Sequence, residues 1–508
     1  MTQVYHTRRS FLKLMGLGAA SIAAGSGFSK LEAAHPPKPN VIIILVDDLG
    51  YSDLSCYGSK FYETPHIDEL ARTGMKFTNG YAACAVCSPT RAALLTGRYP
   101  ARLGLTDWLR WGKDAQAARK NPEGYTAMYR GRAQKLLCPE NPFWMEHSEV
   151  TIAEVLGQNG YTCCHVGKWH LGLEKWFPQT QGFDFNIGGC AFGAPPSYFD
   201  PYQGYTQFSQ HASKNIPTLT PRKKGEYLVD READEACKFI ENHKDKPFFL
   251  YYASYAVHQP IQGKGRLIEK YQQKRPTKQN NPIYAAMVES VDIGVGKIRS
   301  TLEKNNLADN TVIIFTSDNG GLMIPTCSFN GLPGPTNNAP LREGKTYPYE
   351  GGIRVPFIVY WPGVVKPDSL CHIPVTSVDI FPTVCALTDC KLPTDTIIDG
   401  ENLMPLLKQT GNLQRDSIYW HYPHYISWGP GLTTTPNSII RCGDWKLIKR
   451  YEDETFELFN LSRDIAEKNN LADQMPDKVK FLNKKLTNWL KETGAKLPKL
   501  NPNYTGGN

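Results

Sequence analysis

Asn40-Val41-Ile42-Ile43-Ile44-Leu45-Val46 is a continuous apolar, β-branched run that stops abruptly at Asp47-Asp48-Leu49-Gly50. An unbroken run of this kind reads as a strand buried on both faces of a parallel sheet. Thr311 to Phe315 repeats the pattern and ends in Thr316-Ser317-Asp318-Asn319-Gly320-Gly321. Two buried strands thus deliver acidic and amide oxygens at their carboxyl ends, the edge where open α/β sheets bind ligands. Phe248 to Tyr252 is a further apolar run, leading to His258, and Tyr161 to His170 is another. Helical patterns over Thr151–Gln158 and Tyr284–Asn305 intervene. The alternation predicts a doubly wound α/β domain with helices on both faces of a largely parallel sheet.

Near Asp416 the texture changes. Short strand-like runs, Trp445–Ile448 and Phe456–Phe459, are separated by Asp/Glu/Gly turns and followed by a helical pattern over Met475–Thr493. The expected organisation is a main domain over residues 38–415 and a smaller C-terminal antiparallel sheet with one helix over 416–508. Arg110–Lys135 and Gly263–Asn281 are basic and weakly patterned, and read as solvated surface insertions.

The 508 residues suffice for a sizeable core, and 41% hydrophobic with 21% charged content is ordinary for a globular enzyme. A net charge of +8 fits an acidic substrate. No aromatic-and-basic RNA signature, zinc-finger spacing or phosphate-binding glycine loop is present, which argues against a nucleic-acid partner. Thr7-Arg8-Arg9-Ser10-Phe11-Leu12-Lys13, followed by a weakly apolar stretch from Leu14 to Phe28, resembles a bacterial twin-arginine export signal over residues 1–34. That stretch is too short to span a bilayer, and no cysteine follows it to carry a lipid anchor. A periplasmic or secreted enzyme handled by the twin-arginine machinery is expected, with its thirteen cysteines mostly reduced.

Asp47, Asp48, Asp318 and Asn319 form an all-oxygen set, which favours calcium, or less well magnesium, over zinc. One such pair alone would read as turn and cap residues. Two matching pairs at the ends of buried strands point to a metal. Between them stands Cys87-Ser88-Pro89-Thr90-Arg91-Ala92-Ala93-Leu94-Leu95-Thr96-Gly97-Arg98. Its proline predicts a helix start, with Cys87 and Ser88 at the mouth, where free N–H groups favour an anion.

The Cys-x-Pro-x-Arg pattern with its Thr-Gly-Arg resembles the signature of the type I sulfatases. Gly167-Lys168-Trp169-His170-Leu171-Gly172 resembles that family's second block; in extended chain Lys168 and His170 would share one side. His258, and Lys345 ahead of Tyr349-Glu350-Gly351-Gly352-Ile353-Arg354-Val355-Pro356, match further blocks, although Glu343 stands where many members have glycine. The resemblance implies an alkaline-phosphatase-like fold and hydrolysis of sulfate esters. It implies that Cys87 is oxidised to formylglycine by a formylglycine-generating or cysteine-type maturating enzyme. The hydrated aldehyde would be the nucleophile, held with one calcium ion by Asp47, Asp48, Asp318 and Asn319. Arg91 would orient the hydrate, Lys168 and Lys345 would bind sulfate, His258 would protonate the leaving group and His170 would serve as base. Trp420-His421-Tyr422-Pro423-His424-Tyr425 looks like a block of bacterial carbohydrate sulfatases related to arylsulfatase A and the N-acetylgalactosamine sulfatases. His421 and His424 are thus candidate sugar contacts, with core packing or a hinge the equal alternative. The expected substrate is a sulfated glycan of galactose or N-acetylgalactosamine type, cut from its end. A phosphate mono- or diester hydrolase and a non-catalytic glycan-binding protein are the competing readings.

Overall fold

A computed structural model describes residues 38–109, 134–203, 215–219, 223–323, 334–427 and 433–506. The expected export segment, 1–34, and most of the basic stretch 110–135 lie outside the described residues.

The opening apolar run is strand β1, Asn40–Val46, buried along its whole length. It sits inside an eight-stranded sheet with β2 (Met75–Phe77), β3 (Thr162–Gly167), β4 (Phe185–Ile187), β5 (Phe248–Ser254), β6 (Thr311–Ser317), β7 (Phe357–Tyr360) and β8 (Ser369–Cys371). The spatial order is β8-β2-β7-β6-β1-β5-β3-β4. Only β7 runs against its neighbours, pairing antiparallel with β6 and β2; the other pairs are parallel. The expected mixed, mostly parallel sheet is therefore present.

Register places the site. Val46 is level with Ser254 of β5 and Ser317 of β6, and Gly167 of β3 is level with Ala253. Hence Asp47-Asp48, Asp318-Asn319, Lys168 and the turn toward His258 all leave the sheet along one edge. Alternation along β1 explains its unbroken hydrophobicity. Ile42, Ile44 and Val46 pack on one face with helices α4 (Leu228–Asn242) and α6 (Pro282–Lys304). Val41, Ile43 and Leu45 pack on the other with α2 (Cys87–Thr96), α3 (Ile152–Gln158) and α7 (Ile380–Leu387). Each such side chain contributes about 1.5–3 kcal/mol by leaving water. Helix α1 (Pro65–Thr73) lies on the α6 side, its Ile67 and Leu70 in the same core.

The stretch 263–281 departs from the expected loop. It holds helix α5, Gly265–Gln272, which buries Leu267 and Tyr271. Its Gln279 amide reaches the buried Asp53 carboxylate at 3.0 Å, a tie that no hydrophobic pattern announces.

Strands β9 (Ser417–Tyr422), β10 (Asn437–Cys442), β11 (Trp445–Arg450) and β12 (Phe456–Asn460) form the expected antiparallel sheet in sequential order. Helix α8, Pro476–Glu492, lays Leu482, Leu486 and Trp489 on Ile440, Leu447 and Leu458. The opposite face, Ile418, Trp420, Ile439 and Ile448, packs on Tyr81, Tyr349 and Ile353 of the main sheet's loops. Lys446 crosses this junction fully buried, 3.0 Å from Glu350 and 2.7 Å from Glu467. The described residues from Lys38 onward accordingly cluster as one compact unit.

The twelve described cysteines are free thiols. Among the described residues no helix is long and apolar enough to cross a membrane.

Removing one partner of a buried ion pair costs about 3–5 kcal/mol, because the remaining charge is stranded. Lys446→Met is therefore expected to lower unfolding stability in urea by about that amount. A loss under about 1 kcal/mol would show that Glu350 and Glu467 do not depend on it.

Candidate active site

Helix α2 begins two residues earlier than its proline suggests. Val86 is the N-cap, Cys87 is the first helical residue and Pro89 lies inside the first turn. Every residue of this helix is buried. Cys87 therefore rides on the helix end itself, and its Sγ lies within 4.8 Å of carboxylate oxygens of Asp47 and Asp318. Burial pushes the Cys87 thiol above its usual pKa, so as encoded it is a poor thiolate nucleophile.

Arg91, one turn on, donates through Nε to Asp318 at 2.8 Å and through Nη1 to the Lys168 carbonyl at 2.8 Å. It is 0% exposed and links the ends of β6 and β3. Lys168 Nζ lies 2.5 Å from Asp47 Oδ2, and Lys345 Nζ lies 2.6 Å from Asp48 Oδ1. Asn319 donates to the same Asp48 oxygen at 2.8 Å. His258 Nε2 stands 3.7 Å from Asp48 Oδ2, and its Nδ1 meets the Gln259 carbonyl at 2.8 Å. A carbonyl only accepts, so Nδ1 carries hydrogen and Nε2 is the atom turned to the site.

These charges set one another. Burial and then the Asp318 carboxylate raise Asp47. Burial would also raise Asp48, but Lys345 and His258 hold it below the ordinary carboxylate range. Asp318 is likewise lowered, because Arg91 and Lys168 outweigh its burial. Burial and the Lys345 ammonium push His258 down to about 3, and burial with Lys168 pushes His170 well below its usual value.

Asp47 Oδ1, Asp48 Oδ2 and Asn319 Oδ1 are buried and, among the described residues, accept no hydrogen bond. Three orphaned hard oxygens converging in one place are costly unless something fills the gap. A hard divalent cation fits that set.

Backbone-to-backbone contact brings Lys345 here. A Cβ on Gly320 would lie 1.8 Å from the Gly351 carbonyl, and one on Gly351 would lie 2.0 Å from the Glu343 carbonyl. The Lys345 amide in turn donates to the Gly321 carbonyl at 3.1 Å. Glu343 has φ +56°, a conformation in which glycine is unstrained. The departure from the family pattern is accommodated there without displacing Lys345.

A family model described as "Sulfatase" matches residues 39–390. The chain belongs to the sulfatase family. A second model, "N-sulphoglucosamine sulphohydrolase, C-terminal", matches residues 344–496. A protein named "Sulfatase" from Formosa agariphila is 33% identical over 96% of this chain and 94% of its own length. Human arylsulfatase A is 34% identical over 80% of this chain and 73% of its own. Human N-acetylgalactosamine-6-sulfatase is 32% identical over 77% and 72%. The crystal structure of Ps i-CgsB in complex with k-i-k-neocarrahexaose superposes with a TM-score of 0.71 at 30% identity, covering 92% of this chain and 95% of that one. This sulfatase is a sulfuric ester hydrolase of the alkaline-phosphatase-like fold.

The structure gathers Asp47, Asp48, Cys87, Arg91, Lys168, His258, Asp318, Asn319 and Lys345 at one sheet edge. It alters the reading of two pairs. Strand β3 ends at Gly167 and His170 has φ +58°, so Lys168 and His170 are not set by strand alternation. His421 is 3% exposed, with one ring nitrogen 2.7 Å from Ser438 Oγ and the other 3.1 Å from the Lys496 carbonyl. His424 is 2% exposed with Nε2 2.8 Å from Thr106 Oγ1. Core packing is where the geometry puts both. Sequence reasoning missed Tyr198, whose hydroxyl lies 2.6 Å from the Tyr255 carbonyl and 2.8 Å from the His258 carbonyl. A lone loop tyrosine carries no pattern that would flag it.

A hard divalent cation added to the protein is expected to raise its unfolding midpoint, equivalent to about 2.7 kcal/mol at a hundredfold excess over Kd. Asp48→Asn should abolish that rise. An undiminished rise in the variant would place the ion elsewhere.

Proposed function

We propose that this sulfatase removes sulfate from a carbohydrate of galactose or N-acetylgalactosamine type, acting at a chain end, with a formylglycine made from Cys87 as its nucleophile. The observation that carries the reading is the side chain at 87, fixed on a helix end against buried carboxylates with unpartnered oxygens. The names of the relatives, N-acetylgalactosamine-6-sulfatase among them, and the oligosaccharide held by Ps i-CgsB support a sugar substrate.

Formylglycine supplies, as its hydrate, a hydroxyl nucleophile that serine could match in attack but not in release of sulfate. Asp47, Asp48, Asp318, Asn319 and residue 87 would hold calcium, which would supply positive charge to an anionic ester. The rest falls to the chain's own groups. Lys168 and Lys345 present two ammonium groups that can bind sulfate as it enters, and Lys345 steadies charge on the departing oxygen. His258 turns Nε2 toward that oxygen, since Nδ1 is committed to Gln259, and would protonate it from the imidazolium form. Arg91 is anchored from Asp318 and the Lys168 carbonyl, and braces residue 87 one turn away. His170 takes the proton whose loss expels sulfate.

Export through the twin-arginine route and oxidation by a maturating enzyme complete the proposal. Both rest on the Thr7–Lys13 segment and the Cys-x-Pro-x-Arg pattern.

A peptide mass across residue 87 from protein made in a maturating host is expected about 18 Da below the cysteine form, the change that activates this nucleophile. Cys87→Ala should keep its fold yet lose roughly 10³-fold or more in kcat on a sulfated galactoside. Undiminished turnover by that variant would defeat the proposal. Faster hydrolysis of a phosphate diester than of any sulfate ester would favour the phosphatase reading.

A further inference from the structure

Ser88 is the neighbour of the nucleophile, and its hydroxyl is wholly buried. It donates to the His170 carbonyl at 3.0 Å and accepts from the Leu109 amide at 3.0 Å. His170 Nε2 lies 2.8 Å from the Leu109 carbonyl. That contact is informative because a carbonyl cannot donate, so hydrogen must sit on Nε2. The lone pair of neutral His170 is then on Nδ1, which is buried and, among the described residues, has no hydrogen-bond partner. A Cβ on Gly193 would fall 2.7 Å from His170 Cε1, so the ring is also fixed on its face.

Leu109 is itself held from outside. In the turn before it, Asp107 Oδ1 accepts from the Tyr422 hydroxyl at 2.7 Å and from the Trp108 amide at 2.9 Å. Thr106 Oγ1 meets His424 Nε2 at 2.8 Å, and the Asn141 side chain accepts from the Thr106 and Asp107 amides at 2.9 and 3.0 Å. Tyr422 ends strand β9. A line of hydrogen bonds therefore runs from the C-terminal sheet, through residues 106–109, to the ring of His170 and the first turn of the nucleophile helix.

We propose that this strut positions the base: Ser88 and Tyr422 are positioning residues that hold Leu109, and Leu109 fixes His170 in the tautomer whose working atom is Nδ1. The inference rests on His170 serving as the base. It gives the aromatic and histidine block at 420–425 a part in the chemistry without any contact with sugar. The strut is argued to act through His170 alone, so its loss should act on kcat and leave KM in place.

The tautomer is read directly by ¹⁵N NMR of histidine-labelled protein, with the His170 signals assigned by their loss in His170→Gln. Wild-type protein should show a protonated Nε2 and a bare Nδ1, whether or not residue 87 has been oxidised. Ser88→Ala should show exchange between tautomers. Its kcat, normalised to the oxidised fraction at residue 87 found by peptide mass, should fall about tenfold or more at unchanged KM, part of the 10²–10⁴-fold that a general base supplies. Ser88→Thr, which keeps the hydroxyl, should recover most of it. Tyr422→Phe should give a smaller fall, and the double variant should match Ser88→Ala alone, as expected of residues acting in series. A protonated Nδ1 in wild-type protein overturns the proposal. So does a normalised kcat within about twofold of wild type in both Ser88→Ala and Tyr422→Phe. Should Ser88→Ala not fold, the wild-type spectrum and Tyr422→Phe still decide. A wild-type protein that releases sulfate from no ester would instead count against the proposed function, and the spectrum would be unaffected.

Discussion

Three carboxylates, Asp47, Asp48 and Asp318, are buried side by side at the ends of adjacent strands. Bringing such groups out of water costs several kcal/mol each unless they are paired. Most of the surrounding structure meets that demand. Arg91 comes from a helix, Lys168 from the end of β3 and Lys345 from a glycine-rich loop, each placed on a different carboxylate. The compensation is incomplete, since among the described residues Asp47 Oδ1 and Asp48 Oδ2, with the Asn319 amide oxygen beside them, accept no hydrogen bond. An arrangement this charged is poor for stability and good for holding a cation beside an anionic ester.

Holding six charged groups to fractions of an ångström needs stiff supports, and two are visible. One is the level register of β1, β5 and β6, which leaves no freedom in where the three loops emerge. The other is the C-terminal sheet, tied to the main sheet through Lys446, Glu350 and Glu467. Glu350 lies five residues beyond Lys345, and its amide is held by the Glu467 carboxylate at 2.6 Å. The C-terminal region thus supports the active site from two directions, at Lys345 through this network and at His170 through residues 106–109.

The strands were legible because burial on both faces leaves an unbroken apolar run, and the placement of Asp47-Asp48 and Asp318-Asn319 at one edge followed from two such runs ending alike. The Cys87 motif stood out through its resemblance to a family signature. The helix start at Cys87 was not legible, because proline tolerates any place in a first turn and Val86 offers no side-chain cap. The orientation of His170 depends on a left-handed backbone that no alternation rule describes. His421 and His424 could be read either way for a related reason: a histidine that satisfies buried polar groups has the same letter as one that meets a sugar. Tyr198 and Ser88 act through single hydrogen bonds to distant backbone, and such contacts leave no periodic trace in sequence.

The claim that residue 87 itself takes up the sulfo group is tested most directly with Cys87→Ser protein. Incubated with a sulfated galactoside, this variant should retain one sulfo group per chain on the peptide carrying residue 87, and should release the sugar once without further turnover. A peptide at 87 that stays unmodified while the sugar is released, or a sulfo group found on another residue, would contradict the account.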